Sequence, residues 1–364
     1  MKRLTAMCLA AALCLGLSGC DMWMNGSYYS VTPYQQDSQV ANPASMEAQD
    51  YDGLLEIIAE LVEGGTQSGI VYMPGYAQED LERYMERAVL GITHNNAIGA
   101  YAVDEIHYEI GTSTGRPAIA IDITYNHNRS EILRIKKVQT MEQALNAITD
   151  ALEKCSAGVV VQVDQFETVD FTQLVEDHVD NHPDVCMELP QVTAAVYPEY
   201  GQERVIELSF TYQTSRESLR TMQNYVGPVF AAAVLNVRAE EGESEKFSRM
   251  YLFLMERNDY QIETSITPAY SLLRHGVGDS KAVAVVFAQM CRQADLDCRI
   301  VSGTRSGEPW VWNLICEDGV YYHVDLLGSV STGRLHKLTE AEMNGYVWDY
   351  SAYPASGTPI DTTE

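Results

Sequence analysis

Positive charge is scarce in this sequence: 24 lysines and arginines stand against 51 aspartates and glutamates, a formal charge of −27 at pH 7. A surface of that sign repels phosphate backbones and anionic lipid, which argues against nucleic acid as a partner. Cysteine is sparse where it would count. No two cysteines form a CxxC, so the spacing of a zinc site is missing, and no metal or cofactor is expected. Long apolar runs are lacking too: none reaches the roughly 18 residues needed to cross a bilayer.

The longest apolar stretch lies at the start. Lys2 and Arg3 precede Leu4 to Leu17, which is almost wholly apolar, and Leu17-Ser18-Gly19-Cys20 ends the run. A basic start, a short apolar core and small residues before a cysteine describe an export signal. The LSGC segment resembles a bacterial lipobox. The resemblance implies removal of residues 1–19, acylation of Cys20, and a protein lipid-anchored to the cell membrane on its extracytoplasmic face; two or more acyl chains suffice for stable anchoring. With Lys2 and Arg3 removed, 22 basic residues face 51 acidic ones, a formal charge of −29. Cys8 and Cys14 would leave with the signal. Cys155, Cys186, Cys291, Cys298 and Cys316 remain, an odd number that permits at most two bridges and points to buried free thiols.

With 46% hydrophobic residues, the chain can bury real cores, and its length predicts two or three domains. Residues 20–50 are rich in Ser, Asn, Gln, Tyr and Pro without apolar periodicity, the composition of a flexible spacer. A helix is predicted from Tyr51 to Val62. Then a pattern occurs twice. SGIVYM at 68–73 precedes a helix from Glu79 to Leu90 and strands around Val103–Ile110 and Ala118–Tyr125. AGVVVQV at 157–163 precedes a helix from Asp170 to Asp180 and strands around Thr193–Val196 and Val205–Tyr212. ITYNHNRSEI and FTYQTSRESL align at an offset of 87, pairing Tyr125 with Tyr212 and Arg129 with Arg216. Residues of this kind close a strand and cap its hairpin. Ser130 and Ser215 would open following helices, to about Leu152 and Val226, with a further helix after Gly227-Pro228 to about Ala239. The predicted class is α+β: two β-α-β-β(α) modules at 51–152 and 153–235, a third α+β domain at 236–354, and a polar tail at 355–364.

The third domain carries the motifs. They are YSLLRHGVGDSKAVAVVFAQMCRQADLDCRIVSG, EPWVWNLICEDG, VYYHVDLLGS and LTEAEMNGYVWDYSAYP. Together they resemble bacterial transglutaminase-like domains of the papain-like superfamily, over roughly a third of the chain. In that family a Gly-Val-Cys segment opens a helix, the next strand carries His-Ala-Trp-Asn, and the one after it an acid. Phe287, Cys298, Arg299, Val301, Ser302, Gly303, Trp312, Asn313, Asp318, Gly319, Tyr322, His323 and Asp325 fall where the family pattern puts them. The resemblance assigns Ser280 to the nucleophile's place, Trp310 to the histidine's and Asp325 to the acid's. Two of the three catalytic identities differ from the family's.

That difference has a chemical meaning. A catalytic thiol depends on a histidine that lowers its pKa, and a serine depends on a base still more. Indole offers an N–H and no basic lone pair, so Trp310 neither accepts the nucleophile's proton nor returns one. Acyl transfer is therefore expected to be absent, leaving a binding or assembly role toward an envelope peptide, glycan or protein. An alternative is a hydrolase or acyltransferase using Ser280 with His323 and Asp325, because strand alternation puts His323 and Asp325 on one face. For the binding role the expected contact residues are aromatic: Trp310 and Trp312 alternate onto one face, Tyr321 and Tyr322 lie on the next strand, and Trp348 follows.

Overall fold

The structure is a computed structural model that describes residues 44–256, 261–329 and 333–357. The expected export signal at 1–19, Cys20, most of the expected spacer and the last residues of the expected tail lie outside them. No helix among the described residues is long and apolar enough to cross a membrane.

The first sheet takes β1 (Ala44–Glu47), β2 (Ser68–Tyr72), β3 (Val103–Ser113) and β4 (Arg116–Tyr125), covered by α1 (Tyr51–Glu63), α2 (Gln78–Asn95) and α3 (Ala97–Ala102). Asp50 starts α1 by accepting the Gly53 N–H at 2.9 Å, which satisfies one of the free donors of its first turn. In β4, Ile119, Ile121 and Ile123 point into the helix-covered core while Ala120, Asp122 and Thr124 point out, the alternation of a sheet with one wet face. The Ala44–Glu47 strand corrects the flexible spacer expected for residues 20–50, since its last part is paired into the sheet.

The continuous helix expected from Ser130 to Leu152 is also corrected. A single turn, α4 (Arg129–Ile132), is followed by β5 (Lys136–Thr140) and α5 (Met141–Glu153). β5 pairs in parallel with β6 (Gly158–Gln165), so residues 136–153 are tied to the second sheet, although the sequence grouped them with the first. That sheet adds β7 (Gln191–Tyr197) and β8 (Arg204–Thr211), with α6 (Phe171–Asn181) between β6 and β7. Its strand order, β5-β6-β8-β7, repeats the β1-β2-β4-β3 order of the first. Each copy is thus β-α-β-α-β-β.

The repeated arginines do the same thing in both copies. Arg129 Nε donates to the Gly64 carbonyl at 3.0 Å, just past α1, and Arg216 Nε donates to the Lys154 carbonyl at 3.2 Å, just past α5. They satisfy carbonyls left open at helix C-termini, where hairpin caps were expected. Tyr125 reaches the same corner, donating to the Thr66 carbonyl at 2.7 Å.

One long helix, α7 (Arg216–Leu235), replaces the two expected around Gly227-Pro228. Val226, Val229, Phe230 and Ala233 are buried, and this packing holds the helix together through the proline. α7 shares its core with α8 (Glu243–Met255), α9 (Pro268–His275) and α10 (Ser280–Gln293). These pack on one face of a third sheet, β9 (Cys298–Arg305), β10 (Glu308–Glu317), β11 (Val320–Val324) and β12 (Tyr346–Trp348), in the order β11-β10-β9-β12. Asp318 and Gly319, both at positive φ (48° and 77°), turn β10 into β11, as a two-residue hairpin requires. A short helix, α11 (Leu326–Ser329), follows β11.

Candidate functional site

Ser280 is the first residue of α10. Asp279 caps that helix by accepting the Ala282 N–H at 2.9 Å, so the hydroxyl stands at the helix N-terminus. The Val311 N–H of β10 donates to Ser280 Oγ at 3.2 Å. Beside it, Asn313 Nδ2 donates to the Ala284 carbonyl at 2.9 Å and pins the strand to the helix. Val283, Val311, Asn313, Asp325 and Leu327 line a narrow space that Ser280 borders.

Asp325, just after β11, is buried and heavily solvated by the protein itself. Its Oδ2 accepts from Trp310 Nε1 at 3.0 Å, Arg305 Nη1 at 3.0 Å and Tyr346 Oη at 2.6 Å. Its Oδ1 accepts the Gly328 N–H at 3.1 Å. The Arg305 guanidinium lies 5.2 Å from the Trp310 ring and 5.4 Å from the Tyr346 ring, within cation–π reach of both. Burial, and then the Asp325 carboxylate, push the Tyr346 hydroxyl well above its usual range; it donates to the carboxylate and keeps its proton. Trp310 and Asp325 are thus joined, the indole N–H directed at the acid as an imidazole N–H would be, and Asp325 borders the same space as Ser280.

His323 is elsewhere. Along β10, Val311, Asn313 and Ile315 face α10, while Trp310, Trp312 and Leu314 face the opposite side. His323 pairs with Leu314 in the ladder and lies on that opposite side. Its Nδ1 accepts from Trp312 Nε1 at 3.0 Å, which fixes the proton on Nε2. Nε2 has no partner among the described residues. Burial lowers its pKa to about 4, with Glu340 opposing weakly. The Ser280–His323–Asp325 arrangement is accordingly not formed: no hydrogen bond joins His323 to either residue among those described, and the sheet separates its ring from α10.

Lys281, next to Ser280, supplies no base either. Burial pulls its pKa down, but hydrogen bonds and charge from Asp180 and Glu176, at 2.8 and 3.3 Å, leave it raised overall and the ammonium protonated.

The aromatic residues expected to bind divide unequally. Trp312, Tyr321 and Trp348 are buried in a core on the far face of the sheet, together with Val301, Leu314 and Met343. Trp312 packs edge-on against Tyr346 at 5.2 Å and Trp348 at 5.6 Å, and His323 lies 4.7 Å from Trp348. These rings are core, which corrects their expected place in a binding platform. Tyr322 is half-buried against the helix-side core. Trp310 is partly exposed and packs against that far-face core. Nothing local in the sequence ties Arg305 to Asp325; the two meet only through the sheet.

All five cysteines among the described residues are free thiols, four of them buried. No cluster there is suited to a metal ion.

Residues 231–350 match the family described as the transglutaminase-like superfamily. The chain carries a transglutaminase-like domain, whose fold is α+β. Among solved structures, it is similar to a crystal structure of a TGase at 8% identity and a TM-score of 0.26, over 60% of this chain and 63% of that one. It is also similar to a candidate protease from Parabacteroides distasonis at 7% identity and a TM-score of 0.23, over 70% and 39%. The chain spans less than two thirds of either structure, and likenesses this distant carry no argument about activity. No curated protein matches it.

Proposed function

We propose that this is a surface lipoprotein whose transglutaminase-like domain binds a ligand at the cell envelope and carries out no acyl transfer. The observation that carries the reading is the Trp310 indole in the base's position, its single N–H committed to Asp325 at 3.0 Å. A hydroxyl nucleophile needs a group that takes its proton. Around Ser280 stand a protonated Lys281, an acceptor-only carboxylate already holding four donors, and a backbone N–H. Loss of the base in such a centre costs several orders of magnitude in rate. The ligand is an envelope peptide, glycan or protein, and Cys20 is the lipid-bearing residue.

Incubation with a labelled acyl donor should give no turnover above buffer. Turnover that disappears in the Ser280→Ala variant would overturn the reading. Labelled palmitate should enter the protein in cells and fail to enter the Cys20→Ala variant.

A further inference from the structure

Strand β9 has an open edge. β10 lines one side from Cys298 to Arg305, whereas β12 covers the other only at Gly303, Thr304 and Arg305. In an antiparallel ladder, alternate residues turn both backbone groups toward the same neighbour. The Cys316 N–H reaches the Asp297 carbonyl at 3.0 Å, and the Ser306 N–H reaches the Gly345 carbonyl at 2.7 Å. Asp297, Arg299 and Val301 therefore face β10, while Ile300 and Ser302 turn their N–H and C=O groups outward, where β12 has ended. Edge groups beyond the last paired residues of β12 are a template for another strand.

A cavity of about 450 Å³ lies before this edge, bounded by Asp177, Asp180 and Asn181 of α6, Arg292 of α10, and Tyr353. That volume is within the range of ligand sites, and junctions between modules are where such sites occur. Two of its charges, Asp177 and Arg292, have no ion pair among the described residues. Asp180 holds Lys281 at 2.8 Å, Arg299 reaches Asp297 at 3.4 Å, and Arg292 donates to the Asn181 carbonyl at 2.6 Å. Asp177 accepts the Gln173 amide at 2.8 Å and has no ion pair among the described residues.

We infer that β9 takes up an extended peptide as an added strand along residues 298–302, with a basic side chain of that peptide reaching Asp177. Main-chain bonds supply the affinity in this mode, and alternate side chains supply the selectivity. A second copy of the chain fits less well, since two bodies of charge −27 repel. The inference deepens the binding reading and rests on it: it names the ligand class and the place.

The test is a titration of the full chain with acetyl-Thr-Val-Lys-Val-Thr-amide, followed by amide NMR. Binding at millimolar peptide or better should move the Ile300 and Ser302 amides. A peptide N-methylated at alternate backbone nitrogens should bind at least about tenfold more weakly, the loss expected when main-chain bonds cannot form. Asp177→Asn should weaken the lysine peptide severalfold and leave a glutamate analogue unchanged. Ser302→Pro, which removes one outward donor and leaves the β10 ladder intact, should abolish binding. Equal binding of the N-methylated peptide, unmoved Ile300 and Ser302 amides, or a dimer in sedimentation that accounts for the shifts would each overturn the inference. Peptide binding together with acyl turnover would overturn the proposed function alone, and absent binding with absent turnover would overturn the inference alone.

Discussion

Trp310 and Asp325 are joined by an indole N–H donated to a carboxylate oxygen at 3.0 Å, the bond an imidazole would make in an active centre. The orienting half of the relay is present and the proton-accepting half is missing. Indole has one polar atom, and Asp325 takes it. Imidazole in the same place would keep a second nitrogen for the nucleophile.

This contrast predicts the behaviour of a thiol at position 280. The Ser280→Cys variant alone should alkylate at that residue with the pH dependence of an ordinary or raised thiol, at or above about 8.5. Adding Trp310→His should move the midpoint down by more than about one unit, because an imidazolium held by Asp325 favours the thiolate. Site-resolved mass spectrometry after iodoacetamide treatment keeps the native thiols apart. Identical profiles for the single and double variants would remove Trp310 from its assigned place.

His323 predicts a pH dependence of stability. Its pKa falls from 6.5 unfolded to about 4 folded, so between these values the unfolded chain binds the proton and the folded chain does not. Stability is therefore complete above about pH 6.5 and is lost as pH falls toward 4, by up to about 3 kcal/mol from this residue. His178, also lowered to about 4 by burial and by His182, acts in the same direction. Denaturation midpoints between pH 4 and 7 should show a shallower slope in His323→Phe than in the parent. An unchanged slope would mean the ring is protonated in the fold.

The motif residues were legible because each sits at a local landmark. Asp279 is a helix cap, so Ser280 opens α10; Asp318-Gly319 marks the hairpin that places Trp310 and Asp325 on neighbouring strands. What could not be read depends on pairing between distant segments. Arg305 and Tyr346 converge on Asp325 because β12 returns to β9 some 40 residues later, a register that no local pattern encodes. Helical spacing of Ile132, Ile135 and Val138 hid β5, whose edge position leaves it one apolar side chain and little alternation. Trp312 and Trp348 carry the same ring in a core as in a cleft, and only the second layer of Val301, Leu314 and Met343 decides between them.

Gly303 is where β9, β12 and the aromatic core meet most closely. A Cβ there would lie 2.2 Å from the Val347 carbonyl oxygen and 2.9 Å from the Trp312 ring. Backbone and a fully buried indole must both shift, so Gly303→Ala should cost about 1–3 kcal/mol. Displacement of β12 should also alter the near-ultraviolet circular dichroism of the tryptophans. A variant with parental stability and spectrum would show that β12 is not seated on β9 as described.

Asp325 should matter for stability even where there is no reaction to support. Its Oδ2 accepts three donors and its Oδ1 a fourth. In Asp325→Asn, the amide group has to face either the Gly328 N–H or the cluster of Trp310, Arg305 and Tyr346, and donor meets donor in both orientations. Arg305 also loses its counter-charge, a smaller effect because its side chain remains 39% exposed. The expected loss is about 1–3 kcal/mol, read as a lower denaturant midpoint at constant m-value. Tyr346→Phe removes one donor and leaves the carboxylate held by the others, so its cost should be nearer 1 kcal/mol. If Asp325→Asn proved no more harmful than Tyr346→Phe, the carboxylate would not be the hub of this cluster, and the indole N–H of Trp310 would have to be held by something else.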